Sequence, residues 1–391
     1  MEAHTCSCCG SREIRPLLDF GLQPVCNRFL HTPDESEALF PVGISLCEQC
    51  GLIFLTRNIP VEELRPRFDW ISYKEAEAHL DDVVAHIIAA SAAATGNTAF
   101  GISGHDVSTL DRLARKTFGR VGSLDLGAGI ETIQSLIRPE WADSWLQTHA
   151  PVDFIMARYI LEHAHDVGAF LSAMRRLVKP GGLVAFEVPD FSVALANCDY
   201  SNIWEEHTFY FTPTTLRSML GHHGFAVREI LSYPYPLENS LIAICQPSGA
   251  TASNPPAGHE IAVAKNYAEQ FPLRREQTRA ALERLSQSGK IAVFGAGHLA
   301  MKFINFLGLA KSIAFVADDH PKKRGLYMPG SHLPIKPSAA LAEEGIRWCL
   351  LSLNPESEER VLKNLKHVFE NGGIKIYSIF QASPKRLPLD P

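Results

Sequence analysis

The chain has 391 residues, 46% of them apolar and 20% charged, with a formal net charge of -6; it is too long for one ordinary domain, and two or three are expected, with proper buried cores rather than disorder. The acidic balance argues against a nucleic-acid-binding protein, which usually carries a basic excess. The polar, cysteine-rich stretch Met1 to Gly10 does not read as a signal peptide, and no window approaches 18 uninterrupted apolar residues, so a cytoplasmic protein without a membrane span is expected.

Residues 1–70 show no long helical periodicity, and short strands and turns are expected there. Cys6-x-x-Cys9 and Cys47-x-x-Cys50 form two knuckles about 40 residues apart. A tight turn brings both sulfurs of a knuckle to one side, and two knuckles close a tetrahedral four-cysteine site for zinc. No position is left for water, so the Zn2+ is structural. Cys8 could compete with its neighbour, but Gly10 follows Cys9 as Gly51 follows Cys50, which sets the register at Cys6 and Cys9. Cys26 is isolated and expected to be buried. From Tyr73 to about Ala94 the spacing of His79, Leu80, Val83, Val84, Ile87 and Ile88 predicts a helix.

Strands and helices then alternate to about Gln246, as in a parallel α/β domain. Two small-residue loops compete for the place after its first strand. "SLDLGAGIETI" (Ser123 to Ile133) is followed by the next clear strand, "VDFIMARY", after only about 25 residues. A doubly wound domain needs helix, strand, helix and strand in that interval, about 45 to 60 residues. Starting from "TAFGISGHDVSTL" the count works. Phe100 to Ser103 is then strand one, Val107 to Thr117 a helix, "RVGSLDL" strand two, "GIETIQSLI" a short third strand and "VDFIMARY" the fourth. In this threading Gly101, Ser103, Gly104 and Asp106 line the cofactor. Asp125 ends strand two, where an acidic side chain can accept both ribose hydroxyls. Ala157 joins them from strand four, because the cofactor lies over the carboxyl ends of strands one, two and four. His163 and His165 read as helix-start or surface residues. The turn Lys179-Pro180-Gly181-Gly182, leading into a buried strand, is typical of class I methyltransferases.

"QPSGATASNPPAGHE" (Gln246 to Glu260) reads as a linker. A long amphipathic helix is expected from Ile261 to Ser288, with a break near Pro272. A second α/β unit follows, with strands in "KIAVFGAG", "SIAFVADD", "RWCLLSL" and "IKIYSIF". The amides of the Gly295-Ala-Gly297 loop are placed to receive a phosphate, and Asp318 lies where a ribose partner would. His298, Lys302, Lys322, Lys323 and Arg324 are candidates for a diphosphate.

Together these segments resemble the C-methyltransferases that act on nucleotide-linked keto-deoxysugars. The likeness runs through the two knuckles with "DFGLQPVCNRFL" between them, "VDFIMARYILEHAHD", "VKPGGLVAFEVPD", "VFGAGHLAMKFINFLG", "DDHPKKRG" and "PGSHLPI". It implies an α/β chain of three parts: a zinc-binding domain (1–70), a class I S-adenosylmethionine-dependent methyltransferase core with a Rossmann-like fold (71–246), and, after a linker and long helix (247–288), a Rossmann-like C-terminal domain (289–391). The family carries Tyr-x-Glu-His followed by aromatics where this chain has "DYSNIWEEHTFYFT". The resemblance makes His207 the base and Glu206 the glutamate, puts Trp204 where the tyrosine would be, and brings Tyr210, Gly295, Gly297 and His298 to the substrate. Leu299 stands where the family often has lysine.

The chemistry follows from elementary principles. A carbon beside a ketone is acidic enough for a positioned histidine to remove its proton, and Glu206 could orient or charge-balance that histidine. An O- or N-methyltransferase on a related activated sugar is the second reading, with Trp204 marking the change. A zinc-ribbon binding protein with a degenerate methyltransferase core is the third.

Overall fold

The computed structural model describes residues 5–71, 75–91, 98–124, 126–249 and 257–389. Among these residues the strands form three sheets. The first begins with β1 (Ile14–Gln23), β2 (Phe40–Cys47) and β3 (Ile53–Leu55), antiparallel throughout. The predicted helix after it covers Leu80–Ser91 and buries Leu80, Val83, Val84 and Ile87.

The second sheet is built on β4 (Thr98–Gly101), β5 (Arg120–Ser123), β6 (Val152–Arg158) and β7 (Val178–Asp190), all parallel. β4 lies between β5 and β6, so Thr98–Gly101 is the inner strand and "RVGS" the outer one. Every residue of β6 is buried, as a parallel strand covered on both faces requires. The expected third strand is not formed. Ile130–Ile133 is a helical turn, and a helix Pro139–Leu146 follows. Ile130, Ile133 and Ile137 recur at three- and four-residue steps, a helical period, and Ile133 and Ile137 are buried in the core under the sheet.

Next along the chain, β8 (Phe209–Tyr210) leaves this unit and pairs with β3, with Ile53 opposite Tyr210 and Phe54 opposite Phe209. The boundary expected at residue 70 therefore divides the chain but not the first sheet. β9 (Phe225–Tyr233) and β10 (Asn239–Pro247) complete the second sheet in the order β5-β4-β6-β7-β10-β9, with β10 antiparallel to both neighbours.

The long helix spans Gly258–Ser286 and runs through Pro272 without the expected break. Proline removes one amide donor and crowds the carbonyls before it. Here the Tyr200 hydroxyl donates to Tyr267 O at 2.8 Å, the Tyr267 hydroxyl donates to Asp199 O at 2.8 Å, and Tyr267 and Phe271 are buried. These bonds tie the turn before the proline to the loop that begins at Asp199. The third sheet comprises β11 (Lys290–Phe294), β12 (Val316–Ala317), β13 (Ile335–Lys336), β14 (Ile346–Leu351) and β15 (Lys375–Ser378), in the order β13-β12-β11-β14-β15, all parallel. β13 lies in "PGSHLPI", which carried no strand signal. No helix among the described residues is long and apolar enough to cross a membrane.

Candidate functional site

The two knuckles fold alike. In each, the first cysteine's amide donates five residues ahead (Cys6 N to Ser11 O, 2.8 Å; Cys47 N to Leu52 O, 2.9 Å), and a glycine amide donates back to that cysteine's carbonyl (Gly10 N, 2.8 Å; Gly51 N, 2.9 Å). Gly10 and Gly51 have φ of 73° and 75°, where a β-carbon would be strained. The sulfurs of Cys6, Cys9, Cys47 and Cys50 all lie within 4.8 Å of one another. Cys6 and Cys50 are 3.7 Å apart and Cys9 and Cys47 3.6 Å, near the edge of about 3.8 Å for a tetrahedron with Zn–S bonds of about 2.3 Å. Cys8 is buried but stands outside this set. The four thiols thus fit Zn2+, which they hold as thiolates. The neighbouring units close over them: a β-carbon on Gly51 would lie 2.8 Å from Glu260 Cβ on the long helix, and His223 Nε2 donates to Ser7 O at 2.8 Å.

The loop after β4 is held from inside. The Asp106 carboxylate accepts from Ile102 N at 2.7 Å, Ser103 N at 2.9 Å and Arg158 N at 2.9 Å, and it is fully buried. Asp106 therefore closes the loop and does not face a cofactor, contrary to expectation. Gly101 makes room for it, since a β-carbon there would lie 2.5 Å from Asp106 Cβ. The buried Ser103 hydroxyl caps His105 N at 3.2 Å. Ala157 is likewise fully buried, in the core under the sheet, and offers no surface to a ligand. Gly104 has nothing within 4 Å of where its β-carbon would stand and so permits the close approach expected of it. Asp125 lies outside the described residues.

Arg158 fastens this loop to the sheet. Its side chain is 1% exposed. Nε donates to Glu187 Oε2 at 2.6 Å, and the terminal nitrogens donate to His105 O at 2.7 Å and Ala76 O at 3.0 Å. Glu187 Oε1 also accepts from Ser240 Oγ at 2.7 Å and meets His79 Nε2 at 3.0 Å. Burial alone would raise the Glu187 pKa; the hydrogen bond from His79 and the charge of Arg158 outweigh it and hold the carboxyl at about 2.

Beyond Arg158, Tyr159 takes a left-handed φ of 55°, unusual for a residue other than glycine, and it lines a cleft. The cleft lies at the carboxyl ends of the parallel strands, where ligands of such sheets bind. Glu162, His163, Glu206 and His207 face it, with Trp204 at one wall and Glu75 and Glu238 at another. His163 Nδ1 donates to Glu206 O at 3.1 Å, and the His163 and His207 rings meet edge to face at 4.7 Å. Burial pushes His163 down to about 3 and His207 well below the usual histidine value, so both imidazoles are neutral near pH 7. Burial raises Glu75 to about 7 and Glu238 to about 8, and lifts Glu162 and Glu206 well above the usual carboxylate range.

Glu206 does not orient His207 in the way expected of it. Among the described residues its carboxyl makes no hydrogen bond to that ring, and its link to the imidazoles is its own carbonyl, through His163. Glu162 instead brings a carboxyl oxygen within 4.8 Å of ring nitrogens of both His163 and His207. Glu162 and His163 are each 1% exposed, which corrects the expectation of a helix-start or surface role for His163. Burial was not readable from "LEHAHD", where polar residues dominate. Tyr210 is also turned inward: it sits on β8 and donates to Trp204 O at 2.7 Å.

The C-terminal unit reaches the cleft differently from expectation. His298 does not point at a phosphate. Its ring stacks on Trp204 with centroids 3.4 Å apart, and its Nε2 donates to Ser201 O at 2.9 Å. Gly297 has open space, while a β-carbon on Gly295 (φ 102°) would lie 2.7 Å from Leu353. Asp318 does not face a ribose: it accepts from Ala296 N at 2.9 Å, His320 N at 2.8 Å and Lys323 Nζ at 3.0 Å, which shuts the loop on itself. Lys302 is fully buried in an ion pair with Glu205, and Lys322 meets Asp69 at 3.2 Å. Only Arg324 of the cations expected at a diphosphate has no such engagement described here.

Comparison with known proteins matches three segments of the chain to known families. Residues 6–64 match the family described as "Putative zinc binding domain", residues 97–230 a "Methyltransferase domain" and residues 257–379 a "C-methyltransferase C-terminal domain". The C-methyltransferase NovU of Streptomyces niveus is 25% identical over 397 residues, spanning 94% of this chain and 93% of that protein. A ubiquinone biosynthesis O-methyltransferase of Rhodopseudomonas palustris (strain BisB18) is 30% identical over 87 residues, 20% of this chain and 34% of that one. Among solved structures, magnesium protoporphyrin IX methyltransferase from Synechocystis PCC 6803 covers 45% of this chain and 90% of its own, at 14% identity and a TM-score of 0.31.

Two outcomes follow for the purified protein. Elemental analysis should find about one zinc per chain, lost in Cys9→Ser and retained in Cys8→Ser; the reverse result would move the register by one residue. Arg158→Met should destabilise the protein by about 3–5 kcal/mol in denaturant titration, because it leaves Glu187 buried without its guanidinium partner. The depressed Glu187 pKa contributes stability that is full above its unfolded value near 4.5 and is lost as pH falls towards 2. Acid titration should show that loss in the wild type and a smaller one in Glu187→Gln.

Proposed function

This chain is an S-adenosylmethionine-dependent methyltransferase of the C-methyltransferase family with an N-terminal zinc domain, and we propose that it methylates a carbon beside the ketone of a nucleotide-linked keto-deoxysugar, with His207 as the base. The observation that carries this reading is the cleft itself. It holds His207 in its neutral, proton-accepting form at the carboxyl ends of the strands, between the ring of His163 and the indole of Trp204. When bound, S-adenosylmethionine supplies an electrophilic methyl group on a sulfonium. Ser103 and Gly104 are assigned to its side of the cleft, and Asp125 to its ribose.

His207 takes the proton from the carbon beside the ketone and releases it to solvent after transfer. His163 packs edge-on against that ring and is itself held by Glu206 O, so the base is fixed for attack in one orientation. Trp204 is backed by the stacked ring of His298, which makes it a rigid wall rather than a mobile lid. The nucleotide is assigned to a second pocket, lined by Asp199, Tyr200, Ser201 and Arg274, where Arg274 provides a cation for the diphosphate. Such an enzyme works in the cytoplasm on a small activated sugar and needs neither nucleic acid nor a membrane. Transfer to oxygen or nitrogen of a related sugar is the second reading, favoured by the indole at Trp204, which cannot accept a hydrogen bond as a tyrosine hydroxyl can.

His207→Ala should cut turnover about 100- to 10,000-fold while leaving calorimetric S-adenosylmethionine affinity near the wild-type value. Solvent deuterium should enter the sugar beside its ketone in the wild type and not in this variant, and normal turnover in the variant would remove the mechanism. Because burial lowers the His207 pKa, the acid limb of kcat/KM should fall below pH 6.5, the ordinary histidine value. Trp204→Tyr separates the two readings by mass spectrometry of the methylated product: gain of carbon transfer points to a shifted natural chemistry, and loss of activity to a pocket fitted by the indole.

A further inference from the structure

We propose that Glu162, His163 and His207 form a second metal site, for a divalent ion of the zinc, cobalt or nickel class, and that occupation of this site and the base role of His207 exclude one another. One carboxyl oxygen and one nitrogen from each imidazole lie within 4.8 Å of one another, close enough for a single ion to bridge all three. Two imidazoles and one carboxylate suit zinc, cobalt or nickel better than magnesium or calcium, which prefer oxygen ligands.

Three further observations point to a cation. The Glu162 side chain is 1% exposed, and neither of its oxygens has a hydrogen-bond partner among the described residues. A buried carboxyl without a hydrogen-bond partner has unused ligand oxygens, and a bound ion would engage them. The described lining of the cleft offers no lysine or arginine to engage them instead. Finally, the partner of His163 Nδ1 is the Glu206 carbonyl at 3.1 Å, which only accepts, so Nδ1 carries the proton and Nε2 keeps a free lone pair. Metal-bound histidines are commonly oriented in this way, with the second ring N–H donated to a backbone carbonyl.

The consequence for activity rests on the reading of His207 as the base, whereas the binding does not. An ion on the His207 nitrogen that faces Glu162 and His163 holds the lone pair that would accept the proton. The chain would then carry two zinc sites of unlike kind. The four-thiolate site keeps its ion as part of the fold, and the imidazole–carboxylate site loads only when free metal rises, stopping transfer. Binding of the second ion releases the proton of the Glu162 carboxyl to solvent, and removal of the ion lets the carboxyl take a proton back and frees the His207 lone pair.

The test starts from protein that holds its structural zinc. Equilibrium dialysis against increasing Zn2+ should take the wild type from about one to about two ions per chain. Co2+ in the second site should give weak visible absorption without thiolate charge-transfer bands. Glu162→Gln and His163→Ala should each weaken the second ion at least about 10-fold while keeping the first. Glu162→Gln keeps the shape of the side chain, and retention of the first zinc reports its folding. A wild type that stops at one zinc, or variants that bind the second as the wild type does, would overturn the site. Labelled methyl transfer to a nucleoside-diphosphate keto-deoxysugar by the wild type should fall with the same midpoint as the second zinc binds. Loading of the second ion with transfer unchanged or raised would overturn the exclusion and the base assignment together. A wild type that transfers to no keto sugar in any metal state would count against the substrate reading alone, because the metal count is read without substrate.

Discussion

Arg158 carries a full charge at the end of the inner strand β6 with 1% of its side chain exposed, and much of the site's geometry follows from how that charge is satisfied. Glu187 on the next strand balances it. Its remaining donors go to backbone carbonyls of the loop after β4 and of the segment before the first long helix. A buried ion pair adds little net stability over apolar residues of the same shape, but breaking one side of it is expensive. The pair therefore works as a constraint. It fixes Asp106, and through it the small-residue loop, against the strand that leads into Tyr159, Glu162 and His163.

A second constraint joins the three units around the loop that carries Trp204 and His207. Glu205 lies in that loop, fully buried; it forms an ion pair with Lys302 of the C-terminal unit and accepts from the amide of Cys26 in the zinc domain. β8 adds the end of the same loop to the first sheet, and Tyr267 on the long helix holds its beginning at Asp199. The long helix packs directly on Gly51 of the second knuckle. The C-terminal unit then contributes to the cleft through packing: His298 backs Trp204, which lies 5.6 Å from the His207 ring.

The cleft that results is acidic in composition and largely uncharged in practice. Burial lifts its carboxyls and lowers its histidines, so neutral imidazoles stand among acids whose charge is weakened.

Some of this was already legible in the linear sequence. The knuckle spacing with Gly10 and Gly51 determined the metal ligands, because turn geometry is local and repeats with the residues that make it. The spacing from Thr98 to Val152 determined which strand is central, because helices and strands have fixed lengths. The match to a known family located His207. What only the tertiary structure decided concerns burial and direction. Asp106, Asp318 and Ala157 stand where a ligand-binding residue would, but face inward, because nearby backbone amides and core atoms claimed them first. Glu162 and His163 look like a polar helix start, yet the loop from Asp199 to His207 folds over them and turns them into the floor of the cleft. Pro272 should have broken a helix and does not; the turn before it is held by bonds to Tyr200 and Asp199, far away in the chain. Local spacing is written in the chain, whereas the partner that satisfies a polar group comes from residues that only folding brings near.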